Sequence, residues 1–162
     1  MGVINIMASI LIVDDLRFKR EALAMVLLGE GHLVLQAENG KEALRLLAQK
    51  TILPELIITD LIMTPVDGYE LCKTVKSDPQ LSHIPIIVNS IMDEEKVQVL
   101  SDDCQIQGFF PMAARRKDIV EITNLVLEGK GNSRPPPKES IGRDALLREI
   151  LVELKGLSSK LP

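Results

Sequence analysis

Residues 9–15 read SILIVDD: a strand-length apolar run closed by two adjacent carboxylates, Asp14 and Asp15. An uninterrupted apolar run of this length offers no polar side to water, so it belongs to a strand covered on both faces. Four further runs share that character, at 33–37, 56–59, 85–89 and 107–110. Between them, segments near 17–28, 40–49, 68–77, 94–102 and 116–128 carry apolar residues three and four apart. Leu23, Val26 and Leu27 are one such set and Ala43, Leu44 and Leu47 another, the spacing of helices with one buried face. Asn39-Gly40 and Gly68 supply turns before the second and third helices, and Ser77-Asp78-Pro79 ends the third. Five strand-then-helix units without a hairpin signal predict an α/β domain, a parallel sheet sandwiched by helices.

Composition excludes several functional classes. With 46% hydrophobic and 26% charged residues, the 162-residue chain can bury a core and is not a disordered protein. A net charge of -4 argues against binding nucleic acid, and four aromatic residues, Phe18, Tyr69, Phe109 and Phe110, are too few for base stacking. Two cysteines, Cys72 and Cys104, cannot form a disulfide scaffold and point to a reducing cytoplasm. No run reaches the roughly 18 apolar residues of a membrane span. The uncharged residues 1–13 superficially suggest a secretory signal, yet no basic residue precedes them and they end in acids. They read as a short extension, residues 1–7, with Met7 as a natural start, followed by a buried strand.

Charge divides the chain. Residues 1–129 are net -7 and residues 130–162 net +3. Between body and tail, GKGNSRPPPKES at 129–140 cannot continue a helix or sheet through Pro135, Pro136 and Pro137, and reads as an extended linker. Beyond it, residues 141–160 place Leu147, Ile150, Leu151, Leu154 and Leu157 on one stripe of an amphipathic helix. A helix this short is marginal alone, so its stripe needs a partner. The chain's own α/β body, a second copy forming a homodimer and a partner's groove are the three choices, and the reading favours the last two. A single helix does not make a helix-turn-helix, and its basic residues alternate with acids rather than forming a membrane-binding face.

Ligands of open parallel sheets bind beyond the carboxyl ends of the strands. There the first strand ends in Asp14 and Asp15, the third in Asp60 and the fourth in Asn89-Ser90. Any one acid is explained by the preference of helix N-termini for Asp and Ser, but three at strand ends on one rim require a counter-charge. A hard cation such as Mg2+, which favours carboxylates, water and phosphate oxygens, suits them and suggests phosphoryl chemistry with a carboxylate nucleophile.

ILIVDD, IITDLIMTPVDGYEL and IPIIVNS, with their spacing, resemble the receiver domain of two-component response regulators, of the chemotaxis-regulator-like kind, over residues 8–128. The resemblance implies a doubly wound, flavodoxin-like, five-stranded sheet of order 2-1-3-4-5. It implies that Asp60 is the phosphoacceptor and that Asp14 and Asp15 join it in holding Mg2+. Ser90 corresponds to the switch hydroxyl, Phe109 to the switch aromatic, and Asp67 and Gly68 to the turn after the phosphorylation loop. Implied partners are a histidine kinase or phosphotransfer protein and a downstream protein target. The family's strand-five Lys is missing. Aligned from Ser90 and the fifth helix, Met112 takes its place, and aligned on Pro111, Phe110 does. Arg115, Arg116 or Lys117 would have to reach back to replace it. Thr64 stands where the family has Pro, with Pro65 one place later, and Ile62, Ile91 and Met92 surround the site with apolar bulk.

The expectation is therefore an atypical receiver in a phosphorelay, not a turnover enzyme. The alternative is a phosphorylation-independent pseudo-receiver, a scaffold or oligomerisation module on the same fold. A carboxylate-nucleophile phosphatase would need an acid two residues after Asp60, where Ile62 stands. His32 and His83 lie in loops without ligand-spaced partners, Cys72 and Cys104 read as packing residues, and no P-loop or GxGxxG occurs.

Overall fold

The computed structural model describes residues 6–131 and 143–158. Five strands, β1 (Ser9–Val13), β2 (Leu33–Ala37), β3 (Leu56–Thr59), β4 (Ile86–Ser90) and β5 (Gly108–Pro111), alternate with helices. These are α1 (Arg17–Gly29), α2 (Gly40–Gln49), α3 (Gly68–Ser77), α4 (Glu94–Cys104) and α5 (Arg116–Leu127), and α6 (Arg143–Ser158) follows. The strands form one parallel sheet in the order β2-β1-β3-β4-β5, as expected from the resemblance.

Alternation along each strand divides the core. Ile10, Ile12 and Ile58 face one helical layer, where Leu23, Ala24 and Leu27 of α1 and Val126 of α5 cover them. Leu11, Val13 and Ile57 face the other, against Ala43 and Leu47 of α2 and Leu71, Cys72 and Val75 of α3. The central strands β1 and β3 are buried at every position. Strand β2 departs from the expectation of burial on both faces: it lies at the sheet edge, and Leu33 is 61% exposed. A continuous apolar run signals a strand but not its place in the sheet. Strands β4 and β5 each lie one residue later than the sequence runs suggest, which brings Ser90 into β4 and Pro111 into the exposed end of β5. Proline is tolerated there because the last position of an edge strand needs no ladder donor.

The tail helix also differs from the favoured expectation. Ile150 and Leu154 are fully buried against Val97 and Leu100 of α4, and Lys96 pairs with Glu153 at 2.6 Å. The helix's own α/β body thus covers the centre of the stripe, with Leu147 partly packed against it and Leu151 and Leu157 left partly exposed. Most of the expected linker, from residue 132, lies outside the described residues.

Candidate acidic site at the carboxyl rim

The strand order reverses between β1 and β3, which run side by side while β2 leaves on one flank and β4 on the other. Asp14 follows β1 and Asp60 follows β3, so the crevice at this reversal is lined with carboxylates. Backbone bonds fix both residues: Asp14 N–H donates to Ala37 O at 3.2 Å and Asp60 N–H to Val13 O at 2.9 Å. Asp14, Asp15 and Asp60 each bring a carboxylate oxygen within 4.8 Å of the others. Asp14 and Asp60 are buried and Asp15 is partly exposed.

Each buried carboxylate has one oxygen committed to the backbone. Asp60 Oδ1 accepts from the amides of Leu61 at 2.7 Å and Ile62 at 3.4 Å, and Asp14 Oδ1 accepts from Leu16 at 2.9 Å. The loop after Asp60 is drawn tight by Gly68, whose N–H donates to Leu61 O at 3.0 Å. A Cβ on Gly68 would lie 1.9 Å from Asp60 O, so only glycine allows this approach. Asp67 caps α3 by accepting from Glu70 N–H.

The remaining oxygens meet a residue that the sequence reading passed over. Lys19 Nζ lies 2.9 Å from Asp14 Oδ2 and 3.4 Å from Asp60 Oδ2, with its side chain only 10% exposed. Arg20 braces the same turn by donating to Asp14 O at 2.7 Å. A signal existed: the first turn of α1 holds basic residues and no acid, against the preference of a helix N-terminus for negative charge. Cations placed there need acidic partners outside the helix.

Charge and burial oppose each other in the pocket. Burial, reinforced by Asp14, raises Asp60 from the ordinary 3.8 to about 6, although Lys19 and the two amides pull it down. Burial and Asp14 also raise Asp15. Burial lowers Lys19, but Asp60 and Asp14 outweigh it and hold the ammonium more firmly protonated than usual.

The β4 and β5 ends differ. Ser90 is buried at the end of β4, and its Oγ accepts from Met92 N–H at 3.2 Å. Phe109 is partly buried against the cluster that holds Leu61, Val88, Met92, Leu100, Ile150 and Leu154. Met112 is 44% exposed beside Ser90, to whose carbonyl its N–H donates at 3.3 Å. No basic residue takes the strand-five place from α5: Arg115 pairs with Asp118 and Arg116 with Glu30, while Lys117 is exposed. His32 is buried, its Nδ1 accepting from Ala8 N–H, and Cys72 and Cys104 are buried thiols, Cys104 pushed up to about 12 by burial.

A family model for the response regulator receiver domain matches residues 10–124. The chain belongs to the response regulator receiver family. This receiver is 29% identical over 123 residues to Protein PilH of Pseudomonas aeruginosa, across 76% of this chain and 100% of that protein. It is 44% identical over 81 residues to Histidine kinase P4 of Formosa agariphila, across 50% of this chain but 6% of that much longer protein. Among solved structures, a putative response regulator from Chloroflexus aurantiacus matches with a TM-score of 0.71 and 27% identity, over 76% of this chain and 99% of that one. The chemotaxis response regulator CheY4 of Vibrio cholerae, at 0.68 and 23% over 75% and 99%, shares the fold. Receiver domains bind Mg2+ at an acidic pocket, and this receiver has such a pocket in Asp14, Asp15 and Asp60. Among the described residues, no helix is long and apolar enough to cross a membrane.

Proposed function

We propose that this receiver accepts a phosphoryl group on Asp60 and passes the signal on by protein contact. The observation that carries the reading is the convergence of Asp14, Asp15 and Asp60 at the ends of β1 and β3. Hard oxygen donors in such numbers fit Mg2+, which Asp14, Asp15 and Asp60 would hold. When bound, the ion supplies positive charge against the oxygens of the transferring group.

The chain's own residues do the rest. One Asp60 oxygen is held by the Leu61 and Ile62 amides, which fixes the carboxylate plane. An oxygen of Asp60 attacks phosphorus, forming an O–P bond. The donor's P–N or P–O bond breaks, and its electron pair leaves with the donor, taken up by a proton when the donor is a phosphohistidine. Ser90 Oγ is the hydroxyl to turn toward the new phosphoryl group, giving up its bond from Met92 N–H, and Phe109 follows it. The contacts that distinguish the two states set the size of the response. With Met112 at the Lys position one charged contact is missing, so readout is weakly coupled to phosphorylation.

The reading extends to a receiver body at 8–128, a linker at 129–140 and a helix at 141–160, acting in the cytoplasm. A histidine kinase or phosphotransfer protein supplies the phosphoryl group, and a downstream protein receives the signal. The exposed Met112 also favours a second reading, a phosphorylation-independent scaffold, which a homodimer through the C-terminal helix would serve. Incubation with acetyl phosphate and Mg2+, read by intact mass, separates the two. The first reading expects one phosphoryl adduct that Asp60→Asn removes. No adduct, with partner affinity unchanged in Asp60→Asn, establishes the scaffold instead.

A further inference from the structure

Lys19 lies where the acidic pocket would have to accept a cation. Its ammonium touches Asp14 Oδ2 and Asp60 Oδ2, the oxygens not committed to backbone amides. A divalent ion held by the same carboxylates needs oxygens from that set, and two cations cannot share them at contact distance without strong repulsion. The side chain is nearly buried, and it belongs to α1 rather than to β5. No strand-five Lys competes for Asp60, since Met112 stands at that place.

We propose that Lys19 is a built-in, displaceable counter-cation: it occupies the acid pocket in the metal-free protein, and Mg2+ enters by expelling it. This rests on the Mg2+ site of the proposed function. It accounts for how Asp14 and Asp60 remain buried together without metal, since one ammonium serves both carboxylates. It also makes Mg2+ affinity a property of α1, lower than three carboxylates alone would give. Lys19 is a positioning residue for the pocket, acting through the carboxylates it holds.

Titration of the full chain with Mg2+ by calorimetry tests the idea in wild type, Lys19→Met and Lys19→Arg. Methionine keeps the stem and removes the charge, and arginine keeps the charge. Removing a competing unit charge at contact range should tighten Mg2+ binding on the order of tenfold or more in Lys19→Met, with Lys19→Arg remaining near wild type. Equal or weaker binding in Lys19→Met overturns the competition and leaves the metal reading standing. No binding in any of the three overturns both.

A second measurement needs no variant. Amine-directed labelling of wild type, mapped by peptide mass, should find Lys19 protected without metal and labelled at saturating Mg2+. Protection that Mg2+ does not change overturns the displacement even if Lys19→Met fails to fold.

Discussion

The two halves of the sheet's carboxyl rim are built to different standards. At the β1 and β3 ends every buried carboxylate has a backbone donor and shares the nearly buried Lys19 ammonium. At the β4 and β5 ends the polar strand residues are neutral, the Asn89 amide and the Ser90 hydroxyl bonded within its own turn, flanked by Ile91 at 65% exposure and by Met112. The first half is arranged to hold charge and the second to pack. The second half is also continuous with the tail, because Phe109 and Met92 pack in the same cluster as Ile150 and Leu154 of α6. The acidic cluster and the apolar cluster thus occupy separate parts of one rim, joined through Leu61, the residue after Asp60, which belongs to the apolar cluster.

The strongest way to break the first half is Gly68→Ala. Helix propensity alone would favour alanine at the start of α3 by about 1 kcal/mol. The added Cβ would lie 1.9 Å from Asp60 O and 2.8 Å from Leu61 Cα, both backbone atoms that cannot step aside singly. Sterics should win, with a loss of roughly 2–4 kcal/mol in urea unfolding. A gain in stability would show that the loop carrying Asp60 is not tightly held.

Breaking the second half calls for Ile150→Ala or Leu154→Ala, each leaving a cavity worth about 2–3 kcal/mol at the α4–α6 contact. The ion pair of Lys96 with Glu153 is partly exposed and too weak to retain the helix by itself. Amide NMR should show displacement of α6, with shifts at Val97, Leu100, Met92 and Phe109 and little change at Asp14 or Asp15. Shifts of equal size at the acids would mean that the halves are not separable.

Most of this division was legible in the sequence, for a physical reason. The apolar runs ending in acids at Asp14, Asp15 and Asp60 specify both strand burial and rim chemistry, since a parallel strand must be covered and its carboxyl end must open on the crevice. The exposure of β2 was not legible, because Leu33 looks the same at an edge as at the centre. Nor was the docking of α6: Ile150 and Leu154 specify a buried stripe but not which surface buries it, and Val97 and Leu100 read only as core residues of α4. Lys19 was hidden by its neighbours, for Arg17, Lys19 and Arg20 look like one solvated run until α1 is wound against the sheet.

pH offers a smaller and more selective probe. Asp60 stands at about 6 in the folded metal-free protein against an ordinary 3.8. The native state therefore holds that proton more tightly than the unfolded chain. The resulting stabilisation is fully present below 3.8 and lost as pH rises through about 6, on the order of 1–3 kcal/mol. Buried His32, whose imidazole is lowered, acts oppositely: its contribution is present above 6.5 and lost as pH falls through its folded value. The difference between wild type and Asp60→Asn cancels His32. In metal-free buffer Asp60→Asn should be the more stable protein at pH 8, and the advantage should disappear by about pH 4. A constant difference across that range would mean that Asp60 is not desolvated.

The smallest effect should come from Met112→Lys, which places a cation on the half that lacks one. Met112 is exposed, and an exposed pair contributes roughly 0–1 kcal/mol, so the new Lys alone should change Mg2+ affinity by less than about fivefold. Its value lies in combination with Lys19→Met. If the pocket responds only to total charge, Met112→Lys should undo the tighter Mg2+ binding of Lys19→Met. If it responds to which carboxylate oxygens are occupied, the double variant should keep that tighter binding, because a cation beside Ser90 does not cover Asp14 Oδ2. The coupling between the two substitutions, read from the four Kd values, measures how far the halves of the rim are independent. Strong coupling would make the strand-five vacancy and Lys19 two sides of one charge balance, and near-additivity would make Lys19 a local device of the β1–β3 crevice.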